Sequence, residues 1–310
     1  MNDAKTDVFQ RDNSLMKNVF LCSLFCCSLT AHAWDFGLKG DATRTTTDNV
    51  NLTNTAPIND SYNTLGGYLQ LKNESLKFKL KGKVEKYKKQ NENDNYSADL
   101  SMQYKYSKTN DFTFSAFKQV YNGTPAVITD TTSDNSGARI AATLGTEFNK
   151  DSTGYISLNG TVKKYSKIAG RTDKIVTAAF GLENYFTPSF MVNPELNIQN
   201  NNSADSYYSN LSYGPMLYFS FTPNDSWEFF VDGSYSYTSY SGRTVTTTVK
   251  NRKVVNKEYQ ELKSADIGMI FTIAKNLTLQ AKYTNGKNNS NNTTAAYKAD
   301  ALSMGLGFKF

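Results

Sequence analysis

The chain has 310 residues, a formal net charge of +6 and a mean hydropathy of −0.54. Its three cysteines and its one histidine all lie before residue 34, so the chain beyond that point has no disulfide, no Cys or His metal ligand and no His general base. No apolar run approaches the ~20 residues that a membrane-spanning helix needs.

The N-terminal segment has the features of an export signal. A basic Met-Lys-Asn triplet at Met16 precedes an apolar stretch over residues 19–29 and an Ala-His-Ala cleavage site. We therefore predict a signal peptide over residues 16–33 and one β-barrel domain over residues 34–310. Residues 1–15 are polar and carry no signal features, so we expect them to be a non-native extension.

After the predicted cleavage site, alternating segments of strand length are joined by connections that are short and long in turn. The predicted strands are 34–47, 62–72, 76–88, 95–107, 111–122, 137–149, 153–165, 173–186, 189–199, 207–221, 227–239, 259–273, 277–286 and 296–310. The long connections are rich in Asn, Thr, Ser, Asp and Lys, and they include 123–136 and 240–258.

Long loops on one side and short turns on the other, with an even strand count, are typical of an outer-membrane barrel; a soluble β-sandwich does not require that alternation. We predict an all-β, antiparallel, up-and-down transmembrane barrel of about fourteen strands, with twelve or sixteen as alternatives. Because eight strands already close on a filled core, fourteen predict an open polar lumen.

The two faces of the predicted strands differ in polarity. On segment 153–165, Ile156, Leu158 and Val162 fall on one face, and Ser157 and Asn159 alternate with them on the other. Aromatic residues gather near strand ends, which favours interfacial girdles over ordinary core packing. Lys118 breaks the pattern because it falls on the lipid-facing side of its strand.

The polar faces predict two sets of pore-lining charges. Segment 76–88 puts four lysines on one face, with ~6.6–7 Å between successive positions. The predicted basic set is Lys39, Lys72, Lys77, Lys79, Lys81, Lys83, Lys105, Lys282 and Lys309, and the predicted acidic set is Glu183, Glu195, Glu228, Asp232 and Asp266. In a closed barrel these sets would face each other and set up a transverse field. A chance collection of solvated charges and a track for anionic sugars are the alternatives.

The last strand alternates without a fault from Leu302 to the terminal Phe310, with Met304, Leu306 and Phe308 on the same face. This segment resembles the closing strand of Gram-negative outer-membrane β-barrels, and the chain as a whole resembles the monomeric fourteen-stranded porins. The resemblance implies a bacterial outer-membrane location and contact with outer-membrane lipid and lipopolysaccharide. It also implies recognition of the strand ending at Phe310 by the barrel assembly machinery.

The predicted function is a porin-type channel for passive diffusion of ions and small hydrophilic solutes, with the lysines favouring anionic ones. The alternative is a non-conducting surface barrel that serves adhesion or anchoring through its extracellular loops. We expect no enzyme, because the mature chain lacks the histidine of familiar barrel hydrolases and acyltransferases. The sequence predicts no cofactor, no metal site and no nucleic-acid partner.

Overall fold

Fourteen antiparallel strands close into one barrel, which confirms the predicted strand count and fold class. The structure is a computed structural model that describes residues 34–50, 52, 57–121, 133–168, 170–249 and 252–310. The predicted extension and signal peptide lie outside these residues, as does most of the predicted connection 123–136.

The strands follow one another around the ring in chain order. They are β1 Asp35–Thr47, β2 Asp60–Lys72, β3 Leu76–Tyr87, β4 Asn95–Lys105, β5 Asp111–Tyr121, β6 Asn135–Asn149, β7 Ser152–Tyr165, β8 Thr172–Thr187, β9 Phe190–Ser203, β10 Asn210–Asn224, β11 Trp227–Val249, β12 Arg252–Ala274, β13 Leu277–Ser290 and β14 Tyr297–Lys309. Two one-turn 3-10 helices, Asn91–Asn93 and Ser206–Tyr208, lie in connections.

Among the described residues, no helix is long and apolar enough to cross a membrane.

The predicted short turns are confirmed, and asparagine side chains explain why the chain reverses there. The Asn73 carboxamide oxygen accepts hydrogen bonds from the backbone N–H groups of Ser75 and Leu76 at 3.0 and 2.7 Å. The Asn224 carboxamide oxygen accepts two equivalent bonds before β11. Such local side-chain bonds replace the ladder bonds that a reversing strand loses. The chain termini of the barrel lie at the same end as these turns.

The prediction of a loop over residues 240–258 is wrong, because most of these residues lie in strands. β11 and β12 continue through it as a hairpin, paired from Thr244 with Lys257 to Val249 with Arg252 after an irregularity at Ser239. The β10 partner strand begins at Asn210, opposite Tyr240, so the hairpin extends beyond its neighbour. Both faces of this extension meet water, so it lacks the alternation that marks a lipid-facing strand.

The outer face of the barrel is apolar, and the fully buried residues are mostly polar. Ile140, Val176, Ile267 and Met304 are 50–59% exposed in the isolated chain. Only Tyr165, Ala179 and Tyr240 are buried among the described apolar residues, whereas the buried polar set is several times larger. A soluble protein has the opposite arrangement, with apolar residues buried and polar residues exposed. The arrangement here is expected when lipid covers the outside and water fills the inside.

Candidate functional site

The lysine ladder, defined as Lys77, Lys79, Lys81 and Lys83, lies on one face of β3. Its register neighbours on β2 and β4 are polar or small, including Tyr68 and Asp99 on either side of Lys81. Lys79 Nζ lies 4.2 Å from the centroid of the Tyr68 ring. Lys83 Nζ pairs with Glu85 Oε1 at 2.9 Å.

The first three lysines of the ladder differ from Lys83. Within the described part of the chain, Lys77, Lys79 and Lys81 form no ion pair with a carboxylate. Each therefore presents an ammonium group that is available to water, counter-ions or a solute.

Four of the remaining predicted basic residues lie on strands near the ladder, on β14, β1, β2 and β4. Lys39 and Lys309 are register partners where β1 meets β14, and Lys105 lies opposite Asp111. Lys72 makes a long contact of 3.9 Å with Asp35, and both side chains are largely exposed. These positions share the inner parity of their strands with the ladder.

Lys282 lies with the acidic residues, apart from the other predicted basic positions. Its Nζ is 2.8 Å from Asp266 Oδ2, and Asp266 is the direct register partner of Asp232. One lysine therefore balances a pair of carboxylates that would otherwise repel each other across adjacent strands.

The acidic wall, defined as Glu183, Glu195, Glu228, Asp232 and Asp266, is held by hydrogen bonds as well. Glu195 accepts bonds of 2.6 Å from the Tyr155 hydroxyl and from Asn197. Glu228 accepts longer bonds of 3.4 Å from Tyr218 and Ser220. Within the described residues, no group of three His, Cys, Asp or Glu side chains converges to hold a metal.

The order of the strands in the ring places the lysine ladder opposite the acidic wall. In a closed ring of fourteen strands in chain order, β10 lies seven steps from β3 in both directions. The wall residues belong to β8, β9, β11 and β12, the strands on either side of β10. The two sets therefore lie on opposite sides of the barrel.

A buried charge cluster lies at the barrel end that carries the long connections. Arg171 Nη2 is 2.8 Å from Asp173 Oδ2, and these side chains are 3% and 1% exposed. The Arg171 guanidinium carbon lies 4.0 Å from the Tyr165 ring centroid and 3.6 Å from that of Tyr208. The guanidinium is thus stacked between two rings and paired with a carboxylate.

A second arginine fixes the connection between β9 and β10 in the same cluster. Arg243 donates from Nε to the Tyr207 carbonyl at 2.9 Å and contacts Glu258 at 3.6 Å. Its guanidinium carbon lies 4.0 Å from the Tyr240 ring centroid. A side chain at Gly242 would collide with the backbone at Ser206, so glycine permits this close approach. We call Arg171, Asp173, Arg243 and Glu258, with their tyrosines, the mouth clamp.

Sequence reasoning missed the mouth clamp and also Arg139. Arg139 lies on β6 with its guanidinium carbon 5.6 Å from the Phe117 ring centroid, and it lines a cavity of about 430 Å³ on the inner face of the barrel. The signal for Arg139 was its alternation with Ala138 and Ile140. The clamp offered no such signal, because its partners come from strands and connections that are far apart in the sequence.

Searches for related proteins give likenesses to solved structures alone. No family model matches the sequence, and no curated protein matches it. The outer membrane channel DcaP of Acinetobacter baumannii is similar at 11% identity and a TM-score of 0.48, over 91% of this chain and 99% of that one. An anion-selective porin from Comamonas acidovorans is similar at 10% identity and a TM-score of 0.48, over 90% and 100%. OmpT, an outer membrane protein of Vibrio cholerae, is similar at 10% identity and a TM-score of 0.46, over 91% and 99%.

Each of these likenesses concerns architecture alone. In lipid, backbone N–H and C=O groups must be paired within the protein, and only a closed ring of strands pairs them all. This ring is closed, and exposed apolar side chains lie on thirteen of its fourteen strands. The chain therefore has the fold of a transmembrane β-barrel.

Proposed function

We propose that the barrel is a passive diffusion channel for ions and small hydrophilic solutes, and that it favours anionic ones. The observation that carries this proposal is the difference between the two sides of the interior. Three lysines of the ladder form no ion pair with a carboxylate among the described residues, whereas in the acidic wall Lys282 pairs with Asp266 and hydrogen bonds hold Glu195 in place. A row of cations that form no ion pairs raises the local concentration of anions.

The same arrangement sets the class of solute. Opposed charges across a wide polar lumen order water and the dipoles of polar solutes, so small hydrophilic molecules enter the lumen at a low cost in free energy. An apolar solute would have to displace that ordered water without replacing its hydrogen bonds. Simple diffusion needs no reacting group, and we propose a channel rather than an enzyme.

The test is single-channel recording of the refolded barrel in a planar bilayer under a salt gradient. We expect steady conductance steps and a reversal potential of the sign that anion preference gives. In K77Q/K79Q/K81Q/K83Q the reversal potential should move towards cation preference, since four positive charges leave one side of the lumen.

A matched control removes four lysines that lie elsewhere, K150Q/K253Q/K257Q/K275Q, and should leave the reversal potential near the wild-type value. An unchanged reversal potential in the ladder variant would refute the role of the ladder. Absence of conductance from a folded barrel would refute the channel itself.

The extended β11–β12 hairpin favours a second candidate, a non-conducting barrel for adhesion or anchoring. Arg252, Lys253 and Lys257 are exposed on this hairpin, and Val255 is 63% exposed beside them. A basic projection with an apolar contact suits a negatively charged partner at the cell surface. Silent but folded protein in the bilayer experiment would support this candidate.

The proposed partners follow from the membrane location. Lipid contacts the apolar outer face, and we propose lipopolysaccharide as the outer-leaflet component. We also propose that the barrel assembly machinery recognises β14 through Phe310, whose side chain is 69% exposed.

A further inference from the structure

Three lysines form a row on the outside of the barrel. Lys263 on β12 is the register partner of Lys287 on β13, and Lys287 is the register partner of Lys298 on β14. They share their parity with the exposed apolar residues Ile267, Tyr283 and Leu302 on the same strands. We call Lys263, Lys287 and Lys298 the outer lysine row.

The row is unfavourable by itself. Neighbouring strands lie about 4.8 Å apart, so consecutive lysines of the row start from backbone positions that are separated by only one strand spacing. Like charges directly opposite each other on neighbouring strands destabilise a sheet. The inner ladder spaces its lysines more widely, along one strand, and it faces water.

The acids near the row do not balance it. Lys298 Nζ contacts Asp300 Oδ2 at 3.6 Å, and Asp300 also accepts hydrogen bonds from Tyr283 and Asn285. Glu261 shares the outer face two residues before Lys263, but no described ion pair joins them. Among the described residues, the exposed Lys263 and Lys287 therefore form no ion pair with a carboxylate.

The position of the row relative to the apolar band indicates which part of the lipid it contacts. The row is near the ends of β13 and β14 that carry a long connection, just beyond the apolar positions Tyr283 and Leu302. Tyr235 is the register partner of Lys263, and its ring centroid is 5.8 Å from Lys263 Nζ. A tyrosine beside cations at the edge of an apolar band is typical of the depth of lipid headgroups.

A similar group of lysines occupies the same outer face elsewhere in the ring. Lys118, the residue that broke the predicted alternation, and Lys164 both oppose Ser136. Lys174 lies one step further on β8, and all three are exposed. An outward lysine is thus a repeated feature of this end of the barrel, and contact with lipid headgroups explains it.

We propose that the outer lysine row binds the phosphate groups of a phosphorylated outer-leaflet glycolipid. Three ammonium groups on adjacent strands provide nine N–H donors and three positive charges, which suit a phosphate dianion or a pair of phosphates. Tyr235 and the apolar residues below the row contact the sugar and the acyl chains. The proposal depends on the outer-membrane orientation of the barrel and is independent of whether the lumen conducts.

The test is native mass spectrometry of the folded barrel in detergent, titrated with diphosphorylated lipid A. The triple variant K263Q/K287Q/K298Q should bind this lipid at least about tenfold more weakly than wild type, since it loses several charge-assisted hydrogen bonds. Dephosphorylated lipid A should bind wild type as weakly as the phosphorylated lipid binds the variant. Inorganic phosphate serves as the probe for a free-anion site.

A matched control removes three charges from the projecting hairpin, as R252Q/K253Q/K257Q, and should bind lipid A like wild type. The single variant K287Q, with K287R as its charge-preserving counterpart, keeps the test decisive if the triple variant fails to fold.

Unchanged binding by the folded row variant would overturn the proposal. Equal loss in the hairpin control would overturn it too, because general charge attraction would then account for the binding. Inorganic phosphate that binds as tightly as the lipid would assign the row to a free anion.

Discussion

The inner face carries two kinds of cation that differ in their partners. In the mouth clamp, Arg171 and Arg243 are each held by a carboxylate and by tyrosine rings. In the lysine ladder, Lys77, Lys79 and Lys81 have no such carboxylate among the described residues. The comparison separates cations that stabilise the barrel from cations that remain available to a solute.

Breaking the clamp should produce the largest loss of stability. D173N removes the negative charge that pairs with the buried Arg171 guanidinium, and we expect the free energy of unfolding to fall by about 3–5 kcal/mol. Reversible urea unfolding, followed by tryptophan fluorescence, measures this. The control K72Q removes an exposed contact and should change the free energy by less than about 0.5 kcal/mol. Equal effects of D173N and K72Q would contradict the structural role of the clamp.

Loosening the connection between β9 and β10 should have a smaller effect. R243Q loses the stacking on Tyr240 and the bond to the Tyr207 carbonyl, so we expect a loss of about 1–3 kcal/mol. Limited proteolysis should find residues 204–209 cleaved faster, while R252Q at the hairpin end leaves their cleavage unchanged. Equal cleavage of R243Q and wild type would show that Arg243 does not fix this connection.

Neutralising two carboxylates of the acidic wall should change the ion preference of the channel without a large loss of stability. In D232N/D266N the cationic Lys282 loses its counter-charge, so the reversal potential in a salt gradient should move further towards anion preference. This is opposite in sign to the change expected for the ladder variant. A shift of the same sign in both variants would contradict the assignment of opposed walls.

The architecture was predictable because its signals are local. Alternation along each strand and asparagine-rich turns depend on neighbouring residues, so the fourteen strands and the short turns followed from the sequence. The same alternation gives the parity of the ladder on β3. Where the alternation disappears, the prediction failed: Thr244–Thr248 and Val254-Val255 favour strand by β-branching, but both of their faces meet water.

The pairing of charges was not predictable, because it depends on register and on loop packing. Lys282 belongs with Asp266 only because β12 and β13 are aligned at these residues. Arg171 meets Tyr208 only because the connection between β9 and β10 folds back over the barrel end. The outer lysine row likewise exists only when three separate strands are in register.

The seam between β1 and β14 has a consequence for the synthesis of the protein. Every other strand pair joins neighbours along the chain, whereas this seam joins its first and last strands, with Lys39 opposite Lys309. Without β14, two strand edges with unpaired N–H and C=O groups would face lipid. We therefore expect that a chain that stops short of β14 forms no partial barrel in the membrane, because the ring closes only when its last strand is present.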